Sequence, residues 1–172
     1  SGASHELISF SEKTGIPVAS TLLGLGAFPA DHPNYVGYLG MHGNYGPNVN
    51  TNECDVLIAI GMRFDDRVTG NVSKYAKQAK VIHIDIDKAE INKIITPTVA
   101  VHADAREALT ALMPLCSANS HPEWIASFHK LNQEEFEKIV EKEIKNTASL
   151  KMAEVIYLLS QLTQGEAVVV TD

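Results

Sequence analysis

Residues 55–61 read Asp55-Val56-Leu57-Ile58-Ala59-Ile60-Gly61, an apolar run that a glycine closes. Such a run is typical of a parallel strand that helices cover on both faces. A second run of the same kind occupies residues 80–87, and a shorter one occupies residues 99–102. Helical patterns separate these runs, so the sequence predicts a doubly wound α/β fold around a parallel sheet.

Four further features are predicted before this first long strand. Ser4 is expected to cap a helix over residues 5–13, and Gly15 is expected to end it. The other features are a short buried strand at residues 16–20, a long ordered loop from Gly24 to Gly46 and the end of a helix at residues 49–54. Ordered loops of this length are often functional, so this loop is a candidate part of a site.

The remainder of the chain is predicted to be mostly helical. Helices are expected at residues 88–93, 105–115, 122–145 and 149–162, and a last strand at residues 167–172. Leu109, Leu112 and Leu115 would share one face of the second of these helices. The third would be amphipathic, and its packed side would carry Trp124, Phe128, Leu131, Phe136 and Ile139. Because the last strand has nothing after it to complete a crossover, we expect it to open a further domain of a longer protein.

Composition and charge argue against several classes of protein. The 172 residues carry a net charge of -7, which disfavours a general nucleic-acid binder because polyphosphate binding needs a basic surface. A membrane span requires about 20 apolar residues, and no apolar run here is that long. No signal peptide is recognised at the start of the given sequence. Cys54 and Cys116 lack metal-site spacing and are expected to be small buried apolar residues, which fits a reducing cytoplasm.

Polar residues stand where a ligand would bind. In open parallel sheets ligands lie beyond the carboxyl ends of the strands, and Gly61, Asp85 and Asp104 stand at or just after three such ends. A carboxylate there can accept hydrogen bonds from the two hydroxyls of a ribose. The forked donors of Arg63 and Arg67 match the oxygens of a diphosphate. The glycine-rich fingerprint of NAD-binding proteins is missing, so the residues alone indicate an α/β domain with a candidate nucleotide site of another kind.

Some of these residues, and His42 in the long loop, also have a purely structural interpretation. Asp85 or Asp87 could cap a helix that follows the strand. Arg63 could form a surface ion pair with a neighbouring aspartate, and His42 could fill a loop. Composition and spacing leave these alternatives open.

The run Arg63-Phe64-Asp65-Asp66-Arg67-Val68-Thr69-Gly70 resembles a signature of the FAD-dependent acetolactate synthases of branched-chain amino-acid synthesis. Other runs resemble the same family in order and spacing: Thr21-Leu22-Leu23-Gly24-Leu25-Gly26, Tyr38-Leu39-Gly40-Met41-His42-Gly43 and residues 83–91. The helix from Leu150 and the strand to Asp172 resemble the opening of the family's third domain. The resemblance covers nearly the whole chain and implies a Rossmann-like central domain in a three-domain subunit.

The resemblance also implies an activity for the parent enzyme. Such an enzyme decarboxylates pyruvate and joins the thiamine-bound product to a second 2-oxo acid, either pyruvate or 2-oxobutyrate. The outer domains would hold thiamine diphosphate and magnesium, and the central domain would hold FAD, which does no net redox chemistry. A homo-oligomer and a regulatory subunit are further expectations. Because the catalytic glutamate and the magnesium-binding motif lie in the outer domains, we assign no catalytic or metal residue and expect the isolated chain to be inactive.

Carried over residue by residue, the resemblance divides the FAD contacts into three groups. The flavin and ribityl part would meet Leu22, Leu23, Met41 and His42. The diphosphate and middle part would meet Gly61, Arg63, Arg67 and Val68. The adenosine end would meet Asp85, Ile86 and Asp104. Met41, His42, Asp66 and Arg67 would also approach the substrate channel. Asn44-Tyr45-Gly46-Pro47 departs from the small and aromatic residues expected there, so we expect the flavin-side loop to differ locally from the family pattern.

The expected organisation is a central FAD-binding domain at residues 1–120, a linker helix at 121–148 and the first helix and strand of a thiamine-diphosphate-binding domain at 149–172. One alternative is an FAD-free thiamine-diphosphate enzyme, against which the run at 63–70 argues. Another is a stand-alone nucleotide-binding module, against which the unfinished last strand and the missing initiator methionine argue.

Overall fold

The structure, a computed structural model, describes residues 2–144 and 149–170. Its strands are β1 (Val18–Ser20), β2 (Tyr35–Tyr38), β3 (Val56–Ile60), β4 (Lys80–Asp85) and β5 (Val99–His102). Its helices are α1 (Ser4–Thr14), α2 (Tyr45–Asn50), α3 (Asp66–Thr69), α4 (Ala105–Leu112), α5 (Pro122–Glu135), α6 (Glu141–Ile144) and α7 (Met152–Leu162). Short 3-10 turns at Leu22–Gly24 and Met113–Leu115 and a π-helical stretch at Phe136–Val140 are also present.

The strands form two parallel sheets. β4 lies between β3 and β5, with Ile58 opposite Ile82. β1 and β2 form a separate pair, with Ser20 opposite Tyr38. The strands predicted from the apolar runs are therefore present, and the arrangement confirms the Rossmann-like α/β class. The sequence predicted a single sheet, and the described residues instead form two.

β2 lies inside the stretch that was predicted to be a loop. The strand has only four residues, and Gly37 in its middle adopts a φ of 109°. A Cβ at this glycine would lie 2.5 Å from Oδ1 of Asn44, so the position requires glycine. A short strand interrupted by glycine has no periodic apolar pattern, which is why the sequence did not reveal it.

The main core covers one face of β3 and β4. Phe64 and Tyr75 pack there with Ala59, Met62 and Val81. Each large apolar side chain that is fully buried contributes about 1.5–3 kcal/mol to folding. These residues come from the strands and from the segment that joins β3 to β4, so the core fixes the course of that segment.

A second packing contact holds the start of α5. The rings of Trp124 and Phe128 meet edge to face with centroids 5.1 Å apart. The amide of Asn50 donates to the hydroxyl of Ser127 at 2.7 Å, which joins α2 to α5. The predicted packed side is therefore present in the first turns of this helix.

Several local predictions were wrong. Ala3, not Ser4, precedes α1, and no side chain caps the helix, because the helix begins one residue earlier than predicted. Gly15 ends the helix, as predicted, and adopts a left-handed conformation. Residues 88–93 form turns and no helix, and Asn92 adopts a φ of 64° that interrupts any helical continuation. Leu115 is 81% exposed, because α4 gives way to a 3-10 turn before reaching it.

The chain divides into two compact units, residues 1–131 and residues 132–172. In the second unit the helical course continues to Ile144, but Ile139 and Phe136 are exposed, so the packing predicted for them is absent from the described residues. α7 matches the predicted helix. Residues 166–170 are not in a strand, and residues 145–148, 171 and 172 lie outside the described part. The domain boundaries at residues 120 and 148 remain a prediction.

None of the helices in residues 2–144 and 149–170 is long and apolar enough to span a membrane.

Candidate functional site

Three strand ends meet at one edge of the larger sheet. The backbone N–H of Gly61, just after β3, donates to the carbonyl of Ile84 in β4 at 2.8 Å. The N–H of Ala103, just after β5, donates to the carbonyl of Asp85 at 3.1 Å. The structure therefore brings Gly61, Asp85 and Asp104 to the same edge, as the sequence predicted from the topology of parallel sheets.

A strained turn follows β3 and carries the first arginine. Phe64 adopts a φ of 56°, which is rare for a large side chain and costs on the order of 1–3 kcal/mol. Its ring is buried and stands edge-on to that of His83, with centroids 5.1 Å apart. Burial of this ring holds the turn in place, so the backbone from which the Arg63 side chain extends has a fixed position.

The side chain of Arg63 remains largely available to a ligand. Its nearest acidic partner is Asp65, with Nη2 and Oδ2 separated by 3.4 Å. Both side chains are exposed to solvent, and such surface pairs contribute only about 0–1 kcal/mol. The ion pair between Arg63 and Asp65 is thus present in the structure, but it is too weak to prevent Arg63 from binding an anion.

The loop around Met41 docks on α3. The N–H of Met41 donates to the carbonyl of Arg67 at 2.6 Å, and Nη1 of Arg67 lies 4.0 Å from the Met41 sulfur. Gly40 adopts a φ of 125°, and a Cβ there would lie 2.9 Å from the Arg67 carbonyl oxygen. A side chain at this position would push the loop away from α3. The structure therefore brings Met41 and Arg67 together, although they lie far apart in sequence.

Two asparagines that no sequence motif singled out as site residues hold this loop. The side chain of Asn48 both donates to the carbonyl and accepts from the N–H of Gly40, each at 2.9 Å. Oδ1 of Asn44 accepts from the N–H of Tyr38 at 3.1 Å. The hydroxyl of Tyr38 donates to the carbonyl of His42. The available signal was the repeated asparagine in residues 44–52, of which residues 44–47 depart from the family pattern.

The two strand-end carboxylates each use one oxygen locally. Oδ1 of Asp85 accepts from the N–H of Asp87, and Oδ1 of Asp104 accepts from the N–H of Arg106, both at 2.8 Å. Asp104 thereby caps α4, whereas Asp85 closes a turn because no helix follows it. Oδ2 of Asp85 lies 3.7 Å from Nε2 of His83. In each carboxylate the second oxygen makes no hydrogen bond within 3.5 Å to a described residue.

Three predicted contact residues are apolar and exposed. Leu23 is 88% exposed, Ile86 is 69% exposed and Leu22 is also exposed. Leu23 and Gly61 border the same cavity, of about 750 Å³. The carbonyl of Ile86 lies 3.0 Å from Nε2 of His102, which fixes the backbone beside the strand end and was not foreseen from the sequence.

Two further predicted residues have different surroundings. Val68 is half-buried and packs against the main core, so it supports α3 from inside. The side chain of His42 is exposed. The structure thus brings Gly61, Asp85 and Asp104 to one edge, with Arg63 on the turn that follows β3, and it places Leu22 and His42 on turns at the protein surface.

A parallel α/β sheet with polar side chains beyond its strand ends is typical of a Rossmann-like domain. The family model described as thiamine pyrophosphate enzyme, central domain, matches residues 1–112. The chain belongs to this family.

Individual relatives agree with this assignment. The chain is 51% identical to a probable acetolactate synthase large subunit of Methanocaldococcus jannaschii, over 66% of this chain and 19% of that protein. It is 41% identical to the chloroplastic acetolactate synthase 2 of Zea mays, over 97% of this chain and 26% of that protein. It is 37% identical to the isozyme 3 large subunit of Escherichia coli acetolactate synthase, over 99% and 30%. These matches confirm the resemblance to acetolactate synthase large subunits, and the chain spans less than a third of their length.

Proposed function

We propose that this chain is the FAD-binding part of an acetolactate synthase large subunit. The observation that carries the proposal is the meeting of Gly61, Asp85 and Asp104 at one sheet edge, with Arg63 on the turn that leaves it. This edge offers cationic donors beside carboxylate acceptors, the combination that an adenosine diphosphate group requires.

The diphosphate of FAD would lie against Gly61. This residue adopts a φ of 61°, and a Cβ there would meet nothing within 4 Å, so the open space beside the backbone is not filled by the protein. Arg63 would bind the diphosphate oxygens through its forked donors. Arg67 would serve the middle of the cofactor, while Val68 would support α3 from the core.

The adenosine end would lie against Asp85, Ile86 and Asp104. Each carboxylate has an oxygen outside its local hydrogen bond, and such an oxygen can accept from a ribose hydroxyl. The exposed side chain of Ile86 would cover one face of the adenine. Asp85 is only 7% exposed, so its contact would be confined to the rim of its carboxylate.

The flavin and ribityl part would meet Leu22, Leu23, Met41 and His42. Leu22, Leu23 and Met41 are exposed apolar side chains, and covering them with an aromatic ring system would remove apolar surface from water. When bound, the flavin supplies a structural platform and no net redox chemistry in this reaction. The residues of this chain bind and orient it.

The parent enzyme would condense two molecules of pyruvate to 2-acetolactate with loss of carbon dioxide, or pyruvate with 2-oxobutyrate. Thiamine diphosphate and magnesium would be bound by the other domains of a cytoplasmic homo-oligomer, with a regulatory subunit as a partner. The relatives support this proposal, because proteins named acetolactate synthase match nearly the whole length of this chain.

The absorbance spectrum of the purified full-length subunit tests this proposal. We expect flavin bands that remain with the protein through gel filtration, or that appear after FAD is added and excess is removed. A subunit that makes 2-acetolactate without binding flavin would instead favour the FAD-free alternative.

A further inference from the structure

A histidine is buried beside the strand-end carboxylate of Asp85. His83 lies two residues earlier in β4, and side chains two residues apart in a strand point to the same face of the sheet. The side chain of His83 is 1% exposed, and its Nε2 lies 3.7 Å from Oδ2 of Asp85. Val81, on the same face, belongs to the main core. His83 therefore lies between that core and the end of the strand.

Neither ring nitrogen of His83 has a hydrogen-bond partner in residues 2–144 and 149–170. A buried polar group without a partner destabilises the fold, because it has given up its hydrogen bonds to water. An apolar side chain at this position would avoid that loss. The histidine is therefore better explained by a role at the strand end than by packing alone.

The ring of His83 is held in one orientation. It stands at 84° to the ring of Phe64, with centroids 5.1 Å apart, and Phe64 is buried on the turn that follows β3. Ala59 lies opposite His83 in β3, and the small side chain of this alanine leaves room for the imidazole. The imidazole therefore has little freedom to turn away from Asp85.

In the neutral ring, the surroundings of His83 favour a proton on Nε2. A proton on Nδ1 would be buried without an acceptor among the described residues, which costs free energy. A proton on Nε2 faces the carboxylate of Asp85 instead. Because the neighbours of a neutral imidazole decide which nitrogen carries the proton, Nε2–H is the donor available to Asp85.

Two donors would then orient the carboxylate of Asp85. Oδ1 accepts from the N–H of Asp87 at 2.8 Å, and Oδ2 faces Nε2 of His83 at 3.7 Å. An ordinary N–H···O distance is about 2.9 Å, and a small rotation about the soft terminal torsion of the aspartate would close the difference. Each oxygen of an ionised carboxylate has two lone pairs, so Oδ2 can accept from His83 and from a ribose hydroxyl together.

We propose that His83 is a positioning residue of the FAD site, whose Nε2–H holds the carboxylate of Asp85 in the orientation that accepts the ribose. The inference rests on the proposed function, because the ribose belongs to FAD. His83 is buried and touches no part of the cofactor, so it acts through Asp85. A carboxylate oriented in advance loses less freedom when FAD binds, which strengthens binding.

A matched pair of variants tests the donor in the full-length subunit. His83→Gln keeps an N–H donor at the end of its side chain, whereas His83→Met has a similar length and no donor. Both lose the ring contact with Phe64, so the difference between them reports the donor alone. In a fluorescence titration, the methionine variant should bind FAD about fivefold or more weakly than the glutamine variant. Equal affinities of the two variants would overturn the proposal.

A double-mutant cycle tests whether His83 acts through Asp85. In the Asp85→Asn background the carboxylate is already lost, so the difference between His83→Gln and His83→Met should shrink to less than about twofold. An undiminished difference in that background would mean that His83 affects FAD binding by another route, and the proposal would fail.

A further variant covers the case in which loss of the ring unfolds the subunit. His83→Phe keeps an aromatic ring against Phe64 and has no donor. Its flavin-free melting temperature should fall by no more than a few degrees, while FAD affinity should fall about fivefold or more. Wild-type affinity in a stable His83→Phe protein would overturn the proposal.

His32 provides a matched control outside the proposed site. Its ring meets that of Phe28 with centroids 4.8 Å apart, and its Nε2 lies 3.5 Å from Oε1 of Glu12, so its arrangement is similar to that of His83. His32→Gln and His32→Met should both bind FAD with wild-type affinity. A loss in His32→Met as large as that in His83→Met would contradict a specific role for His83.

The outcomes separate this inference from the proposed function. If the wild-type full-length subunit binds no FAD, the proposed function fails and the inference fails with it. If the wild type binds FAD, Asp85→Asn weakens the binding, and His83→Gln and His83→Met bind equally, the FAD site stands and only the positioning role of His83 fails.

Discussion

The carboxylate of Asp85 accepts a hydrogen bond from the backbone N–H of Asp87, with Oδ1 and N separated by 2.8 Å. The same carboxylate stands at the strand-end edge where we place the ribose of FAD. The observed local bond and the proposed ligand contact of Asp85 can be separated, because the local bond needs one oxygen and the proposed contact needs the other.

Asp85→Asn separates these roles. An amide oxygen can still accept from Asp87, so the melting temperature of the flavin-free full-length subunit should change by no more than a few degrees. The other oxygen becomes an NH2 donor and charge assistance is lost, so FAD affinity should fall about fivefold or more. A fluorescence titration with FAD beside a thermal melt measures both quantities.

Asp87→Asn is the matched control for this experiment. Oδ1 of Asp87 accepts from the N–H of Ala89 at 2.9 Å, the same kind of local bond, but no ligand contact is proposed for it. FAD affinity should therefore remain at the wild-type value. If Asp85→Asn keeps full FAD affinity in a stable protein, Asp85 does not belong to the site.

Gly61→Ala tests the close approach of the diphosphate. A Cβ at this position enters open space, so the flavin-free subunit should lose only the about 1 kcal/mol that a left-handed alanine costs. The same Cβ would meet the bound diphosphate, so FAD affinity should fall about tenfold or more, by isothermal titration. Gly165→Ala provides the control, because its φ of 80° and open surroundings are similar and it lies outside the proposed site. A variant at Gly61 with unchanged affinity would show that the cofactor does not approach here.

Tyr75→Phe tests the energetics of the core beside the site. The Tyr75 hydroxyl is buried and has no hydrogen-bond partner among residues 2–144 and 149–170, and such a group costs about 1–3 kcal/mol. Its removal should leave the free energy of unfolding of this chain unchanged or raise it by about 1 kcal/mol. Tyr157→Phe removes an exposed hydroxyl and should have no effect. A large loss of stability for Tyr75→Phe, measured by urea unfolding, would mean that the hydroxyl has a partner.

Tyr75→Phe should also change how the free energy of unfolding falls at alkaline pH. Burial raises the pKa of the Tyr75 phenol above its ordinary value, with a further contribution from Cys54. The unfolded chain therefore loses this proton first as pH rises, and stability falls above the ordinary tyrosine pKa of about 10. Between pH 10 and 11 the wild type should lose more stability than Tyr75→Phe. Parallel pH profiles would contradict this.

The long strands and the family-matching turn could be predicted from the sequence because their signals are local. The apolar run at 55–61 needs only its own composition, and the strand-end rule then places Gly61 and Asp85 at one edge. β2 could not be predicted, because its pairing with β1 depends on a neighbour more distant in sequence and Gly37 interrupts its pattern. The separation into two sheets also depends on tertiary pairing that no local pattern encodes.

Within the proposed site, the residues that the sequence could place were those that carry charge at strand ends. The residues that position them were not predictable. The side chain of Asn48 is hydrogen-bonded to Gly40, eight residues earlier in the chain. The ring of His83 in β4 contacts the ring of Phe64, which lies on the turn after β3. Such contacts appear only when the chain is folded, since neither residue type nor spacing distinguishes these side chains from solvated ones.

The central claim is that the edge beyond β3, β4 and β5 binds FAD, and Arg63→Ala tests it most directly. A lost charge-assisted contact with the diphosphate should weaken FAD binding to the full-length subunit about ten- to a hundredfold. Lys77→Ala removes one exposed positive charge outside the site and should leave the affinity unchanged. The measurement is an equilibrium fluorescence titration of FAD into wild type and both variants. Weakened binding in Arg63→Ala alone is the predicted result, and equal affinity in all three proteins would contradict the account.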